Sequence, residues 1–201
     1  MSLTLGARAD THGNALEMTR SAIFGLACAL SSGCVLSAPP TPTSSANVKT
    51  IGQGSRASDF VARDLDGRTI KLGDYLGKQV VLIDFWATWC LPCQAEMPHL
   101  RKLHEKNKLK GLVILAVAVD GPDTIADVPS FVKRNAMAFP VVMDEDSNIA
   151  RIYNPKHFAP LSILIDRSGK VVRVHEGFNP GDEVDTEVAV DLALDQRSAG
   201  P

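Results

Sequence analysis

A chain of 201 residues, 45% of them hydrophobic, can bury one ordinary core, which favours a single folded domain. Its formal charge of −2, from 21 Lys and Arg against 23 Asp and Glu, leaves no basic footprint for nucleic acid. Aromatic residues make up only 5%, so Trp86 and Trp89, beside a pair of cysteines, single out one spot.

In chain order, the first feature is a targeting segment. Met18-Thr19-Arg20 reads as a charged start, and residues 21–30 form an apolar run too short to span a bilayer. On this reading translation begins at Met18, residues 1–17 are an upstream extension, and residues 18–33 are a signal peptide. Leu30-Ser31-Ser32-Gly33-Cys34 resembles the lipobox of bacterial lipoproteins, although Ser31 stands where those boxes usually carry an aliphatic residue. That resemblance implies lipidation at Cys34 and anchoring to a membrane by more than one acyl chain. The alternative is an ordinary signal cut near Ala38, which discards Cys34. Either way the remaining chain is exported to the bacterial cell envelope or periplasm, and Cys28 and Cys34 drop out of its chemistry. Residues 34–50 hold the Pro/Ser/Thr stretch from Ser37 to Asn47, an extended tether that buries no core. The folded domain is expected over residues 51–197.

Within it, Ser58 to Leu65 and Arg68 to Leu72 flank Asp66-Gly67 as a β-hairpin. Val80 to Phe85 is unbroken in hydrophobicity, as a buried strand should be. A helix follows from Cys90 to about Asn107, with Met97, Leu100 and Leu103 at helical spacing. Leu112 to Val119 is a second buried strand, Ile125 to Arg134 a helix, and Pro140 to Met143 a short strand. Leu161 to Ile165 and Val171 to His175 pair across Asp166-Arg167-Ser168-Gly169. Glu183 to Leu194 forms a closing helix. The order β-β-β-α-β-α-β-β-α predicts an α/β layered domain with a mixed sheet.

The chemistry concentrates in Phe85-Trp86-Ala87-Thr88-Trp89-Cys90-Leu91-Pro92-Cys93. Two cysteines at a strand-to-helix junction suit reversible thiol–disulfide exchange. The helix N-terminus offers free N–H groups and a partial positive charge that favour a thiolate on Cys90, the first and more exposed cysteine. Cys93, one turn deeper, is placed to resolve a mixed disulfide on Cys90. A zinc site lacks its further ligands: His99 and His104 on the same helix have the wrong spacing. Pro92 sets φ in the first turn, where a missing N–H is harmless.

The nine-residue motif, followed by Glu96-Met97-Pro98 and preceded by Gly77-Lys78, resembles the thioredoxin superfamily. More closely it resembles the exported, membrane-tethered TlpA/ResA-like branch, over Ile51 to Phe178. The resemblance implies a thioredoxin-like fold: a mixed central sheet flanked by helices, with an added N-terminal β-hairpin. It makes Asp84 the buried acid that helps move the Cys93 proton, and Glu96 an acid that tunes the cysteines. Pro98 corresponds to the proline that kinks the active-site helix. Phe158-Ala159-Pro160 resembles the loop whose cis-proline faces the cysteines and holds a client backbone. Leu161 stands where relatives often carry Thr or Ser. Trp89 is the tryptophan expected to touch clients and Trp86 to fill the core, while His157 and His175 are expected at the surface or in loops. No cofactor and no metal are expected.

These features describe an exported thiol–disulfide oxidoreductase that reduces client disulfides, with apocytochrome c cysteines among the clients the resemblance implies. A membrane protein would supply or accept its electrons, because the envelope is oxidising. Three alternatives stay open: a dithiol oxidase, a thiol peroxidase of the related peroxiredoxin type, and a Cu(I)-delivery module using the same cysteine pair.

Overall fold

A computed structural model describes residues 51–196. The expected start at Met18, signal peptide, Cys34 and tether lie outside the described residues. Seven strands and four α-helices follow in the order β1 (Val61–Arg63), β2 (Thr69–Lys71), β3 (Val80–Trp86), α1 (Leu91–Asn107), β4 (Leu112–Ala118), α2 (Val128–Arg134), β5 (Val141–Met143), α3 (Asn148–Tyr153), β6 (Leu161–Ile165), β7 (Val171–Glu176) and α4 (Asp182–Asp195). β1 and β2 form a separate antiparallel pair, and the other five make one sheet in the order β5-β4-β3-β6-β7. β3, β4 and β5 run parallel, while β6 pairs antiparallel with both β3 and β7. The sheet is mixed, as expected.

β3 sits at its centre, and every one of its residues is buried. Its side chains alternate between two cores. Val80, Leu82 and Trp86 point to the layer built by Met97, Leu100 and Leu103 of α1, Phe131 of α2 and Val190 of α4. Val81, Ile83 and Phe85 point to the opposite layer, which holds Phe60, Ile70, Leu72, and Ile149 and Tyr153 of α3. Two-residue alternation therefore puts Asp84 on the same face as Leu82 and Trp86, beneath the helix that carries the cysteines.

The N-terminal hairpin turns at Gly67, whose φ of +78° is the left-handed conformation that favours glycine. Asp64 closes this turn: its Oδ1 accepts from the N–H groups of Asp66 (3.0 Å) and Arg68 (2.8 Å). The hairpin strands are shorter than expected, three residues each. The pair docks on the sheet edge, where Leu65 N–H donates to the Val141 carbonyl at 3.0 Å and Asp64 bridges Val142. A β5 edge that could pair with another chain is thereby covered.

Two elements differ from the sequence expectation. The helix expected from Ile125 is a single 3-10 turn, Ile125–Asp127, running into α2. α3 was not foreseen: its six residues are too few for periodicity to declare. Asp144 starts it from outside, accepting from Ile149 N–H (3.0 Å) and Ala150 N–H (2.7 Å). No helix of the described residues is long and apolar enough to cross a membrane.

Candidate active site

Cys90 and Cys93 are joined by a disulfide, with Cα atoms 5.2 Å apart. Cys90 is the N-cap of α1, and its sulfur accepts from Cys93 N–H at 3.2 Å. After reduction that N–H and the helix dipole act on the Cys90 sulfur and favour its thiolate. Pro92 lies in the first turn, and Pro98 lies inside α1, where the Gln94 carbonyl loses its usual donor four residues on. Cys90 is 4% exposed and Cys93 fully buried, so the first cysteine is far less open than expected. Its neighbours carry the surface instead: Trp89 is 59% exposed and Leu91 75%. Trp86 is wholly buried and stacks on Phe131, ring centroids 4.9 Å apart.

The loop before Cys90 is held from the end of the neighbouring strand β4. Buried Asp120, just beyond β4, accepts from Thr88 N–H (3.0 Å to the nearer oxygen) and from the Thr88 hydroxyl. Gln94 donates from Nε2 to the Thr88 carbonyl at 2.7 Å. Thr88 is thus fixed at three groups, and with it the direction in which Trp89 and Cys90 leave the strand. Sequence reasoning missed Asp120, since an aspartate after a strand ordinarily reads as a solvated turn residue.

Under α1 lies a buried polar trio. The Ser162 hydroxyl is 3.1 Å from Asp84 Oδ1 and 3.2 Å from Glu96 Oε1. Asp84 is fully buried, Glu96 is 4% exposed, and Asp84 Oδ2 and Glu96 Oε2 have no hydrogen-bond partner. β3 and β6 bring this about: the antiparallel register sets Asp84 directly opposite Ser162. Glu96 follows Cys93 by three residues and shares its buried helix face. Burial raises both carboxyls well above the ordinary carboxylate range, against a lowering contribution from Ser162. The charge of Asp84 pushes Glu96 further up, as does Asp182 at the start of α4. A single hydroxyl proton reaches only one carboxylate at a time, so two simultaneous bonds require the other carboxyl to bring its own proton.

The loop before β6 reaches the same end of β3. The Ala159–Pro160 bond is cis. Ala159 packs against the same apolar cluster as Cys90 and Cys93. Leu161, the next residue, pairs with Phe85, which brings Pro160 level with the end of β3. Buried Asn154 clamps the approach to this bond, donating to the Phe158 carbonyl (2.7 Å) and accepting from Phe158 N–H (2.9 Å). It was also missed, because its partners are backbone groups that no side-chain pattern announces. Phe158 itself is 40% exposed. His157 is exposed, whereas His175 is partly buried and bonds to Asp182 at 3.1 Å. Among the described residues no cluster of His, Cys, Asp and Glu could hold a metal ion.

A CxxC disulfide capping the first helix after a central strand, on a five-stranded mixed sheet, defines a thioredoxin-fold thiol–disulfide protein. Residues 53–174 match the model of the AhpC/TSA family. A thiol-disulfide oxidoreductase ResA from Bacillus thuringiensis subsp. konkukian is 42% identical over 124 residues, 62% of this chain and 69% of the relative. Another ResA, from Geobacillus thermodenitrificans, is 40% identical over 63% of this chain and 71% of its own length. Among solved structures, a Chlorobium tepidum protein described as a candidate thiol:disulfide interchange protein DsbE superposes with a TM-score of 0.66 at 35% identity, covering 72% of this chain and 99% of its own. The chain belongs to the AhpC/TSA family of the thioredoxin superfamily and, with its ResA-like members, is a thiol–disulfide oxidoreductase.

Proposed function

We propose that the protein is exported and reduces disulfides of client proteins in the bacterial cell envelope. The observation that carries this reading is the Cys90–Cys93 disulfide at the start of α1, flanked by the exposed side chains of Trp89 and Leu91. In the reduced protein the Cys90 thiolate attacks a client disulfide, and the client stays attached through a mixed disulfide. Cys93 then attacks Cys90 and frees the client. Asp84 takes the Cys93 proton, since a carboxyl raised by burial is a competent base near neutrality. Glu96 tunes the cysteines from the next turn of α1. Trp89 and the loop at Ala159 and Pro160 receive an extended client segment, and Trp86, Pro92 and Pro98 shape the site without entering the chemistry.

Lipid attachment at Cys34, re-reduction by a membrane electron donor and apocytochrome c cysteines among the clients are parts of the same proposal, and the lipobox-like Leu30-Ser31-Ser32-Gly33-Cys34 supports the anchor. The test is a Cys93→Ser chain expressed in its native host. Clients should accumulate on Cys90 as mixed disulfides, and an empty Cys90 under those conditions contradicts the exchange mechanism. Direction follows from the reduction potential of the pair: a value near about −270 mV fits a reductant, and one near about −120 mV an oxidase.

A further inference from the structure

The exchange cycle leaves one proton to be accounted for. Beside the buried trio, α1, α4 and Phe178 line a cavity of about 290 Å³ that is open to solvent. Glu96 lines it from the protein side, and His99, Lys102, Phe178, Glu183 and Thr186 are among its other walls. His99 stacks on Phe178, ring centroids 5.6 Å apart. Its walls are mostly apolar but carry the polar groups of Glu96, His99, Lys102, Glu183 and Thr186, and a cavity of this size that opens to solvent admits water beside them. The charged and titratable groups around Glu96 and its cavity are Asp84 from β3, Asp182, Glu183 and Glu187 from α4, and His99, Lys102 and Lys106 from its own helix. Ser162 from β6 is the one polar side chain hydrogen-bonded to both buried carboxyls.

We propose that Asp84, Ser162 and Glu96 form a proton route that carries the Cys93 proton to solvent through the α1–α4 cavity, with Ser162 as its positioning link. The proposal rests on the exchange cycle set out above. Before the resolving step the pair shares one proton: Glu96 donates to the Ser162 oxygen, and the Ser162 hydroxyl donates to the Asp84 carboxylate. Asp84 then takes the proton of Cys93. The freed electron pair on Cys93 Sγ bonds to Cys90 Sγ, and the bond between Cys90 and the client sulfur breaks. The client sulfur leaves with that bond's electron pair as a thiolate. The protein thiols are thereby oxidised by two electrons and the client is reduced by two. Both carboxyls now hold protons. Glu96 releases one to cavity water, and the Asp84 proton returns through Ser162 to restore the starting arrangement. The thiolate leaves on the client side, whereas the proton leaves behind α1.

The test uses the full chain with Cys28→Ala and Cys34→Ala, fully reduced and mixed with one equivalent of 5,5′-dithiobis(2-nitrobenzoate). Its coloured thiolates stay ionised, so attack by Cys90 and resolution by Cys93 appear as two separate phases. Ser162→Ala should leave the first phase unchanged and slow the second about tenfold or more, the scale of lost proton-transfer catalysis. Ser162→Thr, which keeps a hydroxyl, should restore it. Thr186→Trp fills the cavity and leaves the trio intact. It should delay the proton seen by a pH-indicator dye behind the second thiolate, where the native chain shows no lag. Ser162→Ala resolving at the native rate, or Thr186→Trp releasing its proton without delay, overturns the route. Should Ser162→Ala fail to fold, the Thr186→Trp lag decides alone. A native chain that shows no first phase fails at the exchange cycle instead.

Discussion

Glu96 is a buried carboxyl whose hydrogen-bond partner is the Ser162 hydroxyl and whose strongest charged neighbour is Asp84, and this has a thermodynamic sign. Its folded pKa is raised by burial, so the unfolded chain loses that proton at lower pH than the folded one. Native stability is therefore unpenalised below the ordinary carboxylate range and declines as pH rises from there through the raised folded value. Glu96→Gln removes this term. The stability difference in its favour should widen from acid to neutral pH in urea titrations of the oxidised protein; a difference independent of pH contradicts a buried, proton-holding Glu96. Asp120 offers a second test. Asp120→Ala strips the Thr88 N–H and hydroxyl of their acceptor, at a cost of about 1–3 kcal/mol. Denaturant midpoints should show that loss, and the Cys90 attack should slow with it. At this scale the burial of Asp84 was legible from its apolar neighbours Leu82, Ile83, Phe85 and Trp86, while the role expected of it came from the family resemblance. Ser162, Asp120 and Asn154 escaped notice, because each acquires its meaning from a partner supplied by the tertiary fold or from backbone groups.

Among the elements, α1 was legible almost to its ends, since its buried face repeats at 93, 96, 97, 100 and 103. α3 is the opposite case. Three buried residues, Ile149, Ala150 and Tyr153, carry its packing, and its first turn depends on a carboxylate four residues upstream of Asn148. Asp144→Ala should therefore cost about 0.5–2 kcal/mol, as loss of a helix cap does. Amide exchange should show the loss first at Ile149 and Ala150, with α1 unaffected. The β6–β7 turn was predictable for a similar local reason. Asp166 accepts from the N–H groups of Ser168 and Lys170, so its turn chemistry is written within five consecutive residues.

For the molecule as a whole, the N-terminal hairpin belongs to the same core as the sheet. Phe60 meets Tyr153 edge to face with centroids 6.0 Å apart, and the Tyr153 hydroxyl donates to the Ser58 carbonyl at 2.5 Å. Truncating Phe60→Ala should cost about 3–5 kcal/mol. Thermal unfolding should remain a single transition at lower temperature; a separate early melt confined to residues 58–72 contradicts the shared core. The sequence predicted the hairpin from its Asp-Gly turn. Its docking on the β5 edge was not legible, because it rests on backbone bonds between segments some eighty residues apart.

Strand β3 ties chemistry to folding through a simple count. Even positions face the cysteine helix and odd positions face α3, so one inserted residue before Asp84 moves the carboxyl to the wrong side of the sheet. The same slip turns Leu82 and Ile83 out of their own layers. An error of one residue therefore cannot silence the base while leaving a sound core behind. Length variation in this family is to be sought in its loops, and this strand should be the last place to tolerate it.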